Sequence, residues 1–126
     1  MKKATIILSS ISFLAQFAGA QTNLVPNPSF EVFSNCPSGP AEVFQAMPWY
    51  DPTNASSDYF NQCATVSVGV PSNALGNEGA RTGVAYCGFY SFQALQSNYR
   101  EYIQVKLNDT LEWGKKYYVS FYVSHA

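Results

Sequence analysis

Two stretches near the end of this chain of 126 residues alternate between apolar and polar side chains with a period of two. From Tyr117 to Ser124 the odd positions are Tyr, Val, Phe and Val, whereas the even positions hold only Tyr and Ser. From Tyr99 to Leu107 the aliphatic side chains Ile, Val and Leu again share the odd positions. This period is typical of half-buried β-strands, because successive strand side chains point to opposite faces. The pattern therefore predicts two strands, each with one face in the core.

The rest of the chain gives further strand signals and long loops. Residues 83–92 predict a buried strand that is interrupted at Gly88, and residues 65–70 predict a shorter strand that ends before Pro71. Residues 34–62 and 71–82 are rich in Pro, Asn, Ser and Gly, which is typical of surface loops. Short strands joined by long loops favour an all-β fold, either a β-sandwich or a jelly roll.

Composition excludes two broad classes of protein. Charged residues make up 12% of the chain and aromatic residues 16%, whereas intrinsic disorder requires high charge and few aromatics. Seven Lys and Arg are matched by eight Asp and Glu, so the chain has no cationic surplus for a nucleic-acid-binding face. A globular β-domain with little net charge remains.

The first twenty residues have the three parts of a secretory signal peptide. Lys2 and Lys3 form a positive segment, residues 6–17 are largely apolar, and Ala18-Gly19-Ala20 gives the small-x-small pattern that precedes a cleavage site. The apolar stretch is shorter than the roughly 20 residues that span a bilayer. We therefore predict that residues 1–20 are removed on export, and that residues 21–126 form a domain with no transmembrane helix.

Export places the three cysteines in an oxidising compartment, where disulfides form. Cys36 and Cys63 lie in sequence typical of loops, whereas Cys87 lies in an apolar run where a free thiol behaves as a small hydrophobic group. We predict a Cys36–Cys63 disulfide and a free Cys87. A zinc site is disfavoured, since three scattered cysteines and His125 lack paired ligand spacing.

Four blocks of the sequence resemble one family of exported bacterial domains. Residues 23–31, NLVPNPSFE, resemble the opening of carbohydrate-binding-module-like jelly rolls of the galactose-binding type. Residues 48–64 are similar to the next block of that family, residues 80–86 (ARTGVAY) to a third, and residues 111–123 (LEWGKKYYVSFYV) to a strand that follows. The resemblance covers nearly all of residues 23–126, and it is specific through the combination of blocks.

The resemblance implies a galactose-binding-domain-like β-sandwich at the surface of a Gram-negative bacterium. Domains of this family continue for several strands beyond the last matching block, so we expect residues 21–126 to be the N-terminal part of the jelly roll, incomplete at its C-terminus. Longer relatives carry a C-terminal sorting domain or an outer-membrane-protein-A-like domain. Such domains of a longer polypeptide are the expected partners, together with a polysaccharide or glycan.

Two candidate binding sites follow. In related carbohydrate-binding jelly rolls the Glu of the opening motif helps to hold a structural calcium ion, which implies this role for Glu31; the alternative is a surface carboxylate. Sugars stack on Trp and Tyr rings, so Trp49, Tyr118 and Tyr122, with Tyr50, are candidates for a ligand platform. The alternative is that these aromatic side chains fill the core.

We predict that the chain is not an enzyme and has no catalytic residues. The acids that could pair for glycoside hydrolysis, Asp51 with Asp58 or Glu101 with Glu112, have no spacing that fixes a carboxylate separation. The leading hypothesis is an exported, non-enzymatic, cell-surface module that binds polysaccharide or glycan. The alternative is a structural spacer in a larger outer-membrane-associated protein, with no sugar binding of its own.

Overall fold

The structure, a computed structural model, describes residues 22–65 and 67–125. The predicted signal peptide lies outside the described residues. Within them the chain is β-rich, with small antiparallel sheets, one short 3-10 turn and no α-helix. No described helix has the length and apolarity that a membrane crossing requires. The elements are the 3-10 turn Val43–Gln45 and the strands β1 (Asp58–Asn61), β2 (Ser72–Asn73), β3 (Gly76–Asn77) and β4 (Ala85–Gly88).

The main sheet is the antiparallel pair β1–β4. Tyr59 lies opposite Cys87 and Phe60 opposite Tyr86, and the rings of Phe60 and Tyr86 stack with centroids 4.9 Å apart. Phe60 also covers Gly88, where a Cβ atom would lie 2.8 Å from its ring. The glycine that interrupts the predicted strand thus makes room for an aromatic ring from the neighbouring strand.

Tyr59 is the centre of a small core. Its side chain is fully buried and packs with Ala46 and Ala85, while Phe30 and Cys87 cover the cluster from outside. The Tyr59 hydroxyl donates to the Phe30 carbonyl (2.9 Å) and accepts from the Asn61 side chain (2.7 Å). Because both bonds are made inside the protein, the phenol is buried without an unsatisfied polar atom.

The opening segment is fixed by the side chain of Asn27. Its amide nitrogen donates to the carbonyls of Val32 (2.8 Å) and Met47 (2.7 Å), and its amide oxygen accepts from the Val32 N–H (3.0 Å). The Asn27 carbonyl accepts from the indole N–H of Trp49 (2.9 Å) and from the Phe30 N–H (3.1 Å). Asn27 therefore joins the start of the domain to the segment around Trp49.

Glu31 joins the same opening segment to β4. Its carboxylate accepts the N–H groups of Val84 (3.0 and 3.2 Å) and Ala85 (3.2 Å), immediately where β4 begins. Gly83 has φ of +67°, and a Cβ atom there would overlap the Glu31 carboxylate. A residue without a side chain is thus needed for both the backbone conformation and the close approach.

The disulfide Cys36–Cys63 is present, as predicted, and joins the loop before the 3-10 turn to the residues after β1. Cys87 is free, also as predicted, and half-buried in β4. A disulfide between two loops indicates an oxidising environment outside the cytoplasm.

Several predicted strands are absent from the described residues. The segment 117–124 belongs to no sheet, and both of its faces are exposed: Val119 at 87% and Tyr118 at 83%. In the segment 99–107 the only sheet contact is an isolated bridge between Tyr50 and Gln104. The alternating pattern is compatible with a strand, but a strand also needs a hydrogen-bonding neighbour, and neither segment has one along its length.

The other boundaries differ as well. The described residues of 65–70 form no strand. The strand predicted over 83–92 is confined to Ala85–Gly88, and the predicted loop 34–62 contains β1. The predicted loop 71–82 contains the β2–β3 hairpin, which is tied to β4 by a hydrogen bond from Asn73 to the Tyr86 hydroxyl (2.7 Å). The sheets of the described residues are not closed into a sandwich or jelly roll.

Replacement of Gly83 tests the contact between Glu31 and β4. Gly83→Ala should lower the free energy of unfolding by about 2 to 4 kcal/mol, because a left-handed alanine is strained and its methyl group displaces a charged hydrogen-bond acceptor. Gly79→Ala is the matched control, since nothing lies within 4 Å of its added Cβ. Chemical denaturation of the full chain measures both variants. Equal stability of the two variants would contradict the contact.

Candidate functional site

The three aromatic residues predicted to bind a ligand, Trp49, Tyr118 and Tyr122, line one large cleft. The cleft lies between the β1–β4 sheet and the segment 109–125, and its volume is about 2470 Å³. We refer to it as the aromatic cleft. Tyr50, which the sequence placed beside Trp49, does not line it.

Tyr118 and Tyr122 present most of their surface to solvent. Their side chains are 83% and 75% exposed, respectively. The guanidinium of Arg81 lies over the Tyr122 ring, 4.4 Å from its centroid, which is within the range of a cation–π contact. One face of Tyr122 is therefore held against the loop that precedes β4, while Tyr118 has no such contact among the described residues.

Trp49 is held more tightly. Its indole N–H donates to the Asn27 carbonyl, and its ring is tilted at 46° to Phe30 with centroids 5.0 Å apart. The side chain is half-buried, so part of the ring remains accessible from the cleft. Trp49 thus belongs to the packing of the opening segment and to the wall of the cleft.

Eight further aromatic residues of the described segments line the aromatic cleft, and the sequence placed three of them at the end of a buried strand instead. Phe89, Tyr90 and Phe92 follow β4 and are 48%, 45% and 63% exposed. The sequence predicts that these three residues end a buried strand, because the apolar run continues through them. Gly88, where β4 ends, is the sequence signal that could have separated these three residues from the buried strand.

Polar groups lie beside these rings. Asn73, Glu78, Arg81, Asp109 and Lys116 line the same cleft. Aromatic faces next to amide, carboxylate and cationic groups are the combination that binds sugars, whose rings have apolar faces and hydroxyl edges.

Glu31 is placed differently from the aromatic residues. It does not line the aromatic cleft, and its carboxylate faces the N–H groups of Val84 and Ala85. A calcium ion needs six to eight oxygen ligands, and no group of three or more Asp, Glu, His or Cys side chains among residues 22–65 and 67–125 could hold a metal. Calcium at Glu31 stays a prediction, and the observed role of Glu31 is to hold β4.

A second set of carboxylates is buried next to β1. Glu101 is 2% exposed, and its Oε1 accepts from Ser56 Oγ (2.6 Å) and the Tyr99 hydroxyl (2.8 Å). Its Oε2 accepts the Tyr90 N–H (2.8 Å), so every oxygen is used to fix loops. Glu112, the acid that was considered with Glu101 as a pair and set aside, is exposed and forms an ion pair with Lys115.

Asp58 and Asp51 lie near Glu101 but in contrasting environments. Burial raises the pKa of Asp58, the Ala41 N–H (2.7 Å) lowers it in part, and the charge of Glu101 raises it further. For Asp51, partial burial acts upward, but hydrogen bonds from Thr53 and Ser57 prevail and lower its pKa. Burial and then the charge of Asp58 also raise the pKa of the Cys87 thiol, which is therefore protonated at neutral pH.

Comparison with protein-family models, with curated proteins and with solved structures found no match.

The two aspartates should respond oppositely to replacement by Asn. The raised pKa of Asp58 means that its contribution to stability falls as the pH rises above 3.8 through the native pKa, so Asp58→Asn should raise the melting temperature at pH 7. The lowered pKa of Asp51 means that its contribution is present above 3.8 and is lost as the pH falls below it, so Asp51→Asn should lower the melting temperature at pH 7.

Thermal melts from pH 3 to pH 7 measure both variants, each against the unsubstituted chain. The two substitutions are isosteric and remove the same charge, so each serves as the control for the other. Shifts of the same sign at pH 7 would contradict the assignment.

Proposed function

We propose that this protein is an exported, non-enzymatic module of the bacterial cell surface that binds a polysaccharide or glycan in the aromatic cleft. The observation that carries the proposal is the convergence of Trp49, Tyr118 and Tyr122, chosen from the sequence alone, on one cleft. Trp49 is far in the chain from Tyr118 and Tyr122, so sequence proximity does not explain why it lines the same cleft as those two residues.

The chemistry of the cleft supports a sugar ligand. Tyr118 and Tyr122 are exposed and offer ring faces for stacking, while Arg81 already orients Tyr122 by its contact with the ring. Glu78 and Lys116 provide hydrogen-bonding groups within reach of the same space. The cleft volume suits an extended chain of sugars better than one monosaccharide, since pockets for drug-sized ligands measure about 300 to 1,000 Å³.

Export is supported by two independent features. The Cys36–Cys63 disulfide requires an oxidising environment, and residues 1–20 have the pattern of a signal peptide. The surface of a Gram-negative bacterium is the location implied by the resemblance to exported jelly-roll domains.

A structural spacer in a larger outer-membrane-associated protein is the second candidate. It is favoured by Val119, Phe121 and Val123, which are 77% to 87% exposed on the opposite parity to Tyr118 and Tyr122. Apolar side chains so exposed are suited to contact with another domain, although these three also line the aromatic cleft.

Tyr118→Ala combined with Tyr122→Ala tests glycan binding. The double variant of the full chain should bind its polysaccharide at least tenfold more weakly, a loss of about 1.4 kcal/mol, because two stacking surfaces are removed. Polysaccharides are first screened by glycan array or by co-sedimentation with insoluble cell-wall material. Affinity electrophoresis then gives the relative affinities.

The control is Tyr102→Ala, because Tyr102 is 49% exposed and does not line the aromatic cleft. Binding by the control and loss of binding by the double variant support the proposal. Equal binding by both, or no binding of any polysaccharide by the unsubstituted chain, would favour the spacer. Bound polysaccharide should be recovered uncleaved.

A further inference from the structure

A shallow surface depression of about 300 Å³ lies between residues 53–55 and the segment 96–100. It is open to solvent, and none of its lining residues lines the aromatic cleft. The side chains that define it are Thr53, Asn54, Gln96, Asn98, Tyr99 and Arg100. We refer to it as the polar pocket.

Hydrogen bonds to neighbouring carboxylates fix two walls of the polar pocket. The Tyr99 hydroxyl donates to Glu101 (2.8 Å) and lies 3.0 Å from Ser56 Oγ, so the position of the ring is set by a buried carboxylate. On the other wall, the N–H and the hydroxyl of Thr53 donate to Asp51 Oδ1 (2.9 and 2.8 Å). A pocket whose walls are already ordered loses less conformational entropy when a ligand binds.

The amide side chains of the pocket are free to bind a ligand. Asn54, Gln96 and Asn98 make no side-chain hydrogen bond within the part of the chain that the structure describes. By contrast, the amide nitrogen and the amide oxygen of Asn27 and of Asn61 are each engaged in hydrogen bonds. Each amide offers two donors and an acceptor, which is what a ligand with several hydroxyl groups requires.

Arg100 gives the pocket its charge. One guanidinium nitrogen donates to the Tyr99 carbonyl (3.2 Å), and the group lies 5.6 Å from the Phe92 ring centroid. It forms no ion pair within residues 22–65 and 67–125. The remaining guanidinium N–H groups can therefore make the two parallel hydrogen bonds that a carboxylate accepts.

The neighbouring acids do not cancel this charge by contact. Both oxygens of Glu101 are engaged by Ser56, Tyr99 and Tyr90, and those of Asp51 by Thr53 and Ser57. No acidic side chain lines the pocket. Its lining therefore combines one cation, three free amides and one oriented aromatic ring.

We propose that the polar pocket binds a sugar that carries a carboxylate, a hexuronate. Arg100 binds the carboxylate, the amides of Asn54, Gln96 and Asn98 bind the hydroxyl groups, and Tyr99 contacts the face of the sugar ring. This goes beyond binding of polysaccharide in the aromatic cleft, because it adds a separate site with a stated ligand and preference for charge.

Isothermal titration of the full chain with glucuronate, galacturonate, glucose, galactose and inorganic phosphate tests the proposal. At least one hexuronate should bind at least tenfold more tightly than its neutral counterpart. Arg100→Gln should abolish this difference. Asn98→Gly, which tolerates the observed φ of +60° and removes one amide, should weaken hexuronate binding severalfold.

Lys106→Gln is the matched control, because it removes the same charge from an exposed side chain outside the aromatic cleft and the polar pocket, and it should leave hexuronate binding unchanged. Equal affinity for neutral and acidic sugars, phosphate binding as tight as hexuronate binding, absence of any binding, or full hexuronate affinity in Arg100→Gln would each overturn the proposal. The Tyr118→Ala, Tyr122→Ala double variant should keep hexuronate affinity. Failure of the aromatic cleft as a glycan site is therefore distinguishable from failure of the polar pocket.

Discussion

The Glu31 carboxylate and the two N–H groups at the start of β4 form the contact on which the arrangement of this domain depends. Through it the opening segment holds the strand that pairs with β1. Gly83 permits the approach, and the Asn27 side chain fixes the other end of the same segment to the carbonyl of Met47. The opening residues therefore connect the segment around Met47 to the start of β4, although these two parts lie far apart in the chain.

Polar contacts hold much of this fold together, because the apolar core is small. Few hydrophobic side chains are fully buried, and the polar side chains of Asn61 and Glu101 are buried beside Tyr59. Every buried polar side-chain atom of the described residues has a hydrogen-bond partner. Buried hydrogen-bonded networks fix one geometry, because a lost partner leaves a desolvated polar group. The hydrogen bond to Glu101 orients Tyr99, and the hydrogen bond to the Asn27 carbonyl positions Trp49. Both the aromatic cleft and the polar pocket therefore have a wall that the fold holds in place.

The sequence predicts individual features of this molecule better than its pairing. The Cys36–Cys63 disulfide and the free Cys87 follow from loop composition and an apolar run, both of which are local. Residues 117–124 have a strand pattern but pair with no other strand among the described residues. The prediction failed there because a period of two specifies which face each side chain takes, and does not specify whether a neighbouring strand exists. Strand β1 was missed since its four residues, Asp58 to Asn61, include two polar side chains whose burial depends on distant partners.

For the candidate sites, too, the sequence identifies single residues better than it predicts which residues come together. Trp49, Tyr118 and Tyr122 could be selected from the sequence as candidates for stacking on sugars, and they line one cleft. Phe89, Tyr90 and Phe92 line it too, and Gly88 before them is the sequence signal that separates them from the preceding strand. The polar pocket depends on Asp51 and Glu101 as supports, and single acids in a loop-rich sequence give no sign of this role. The opening motif singled out Glu31 as a candidate, but its hydrogen bonds to the start of β4 could not be predicted from the sequence.

Amide hydrogen exchange in Glu31→Gln tests the central contact most directly. A glutamine removes the charge and turns an N–H₂ group towards the β4 amides, so Val84 and Ala85 should exchange at least tenfold faster than in the unsubstituted chain, about 1.4 kcal/mol in protection. Glu78→Gln is the control, since the Glu78 side chain is exposed and should leave these amides unchanged. Unaltered protection of Val84 and Ala85 in Glu31→Gln would contradict the account.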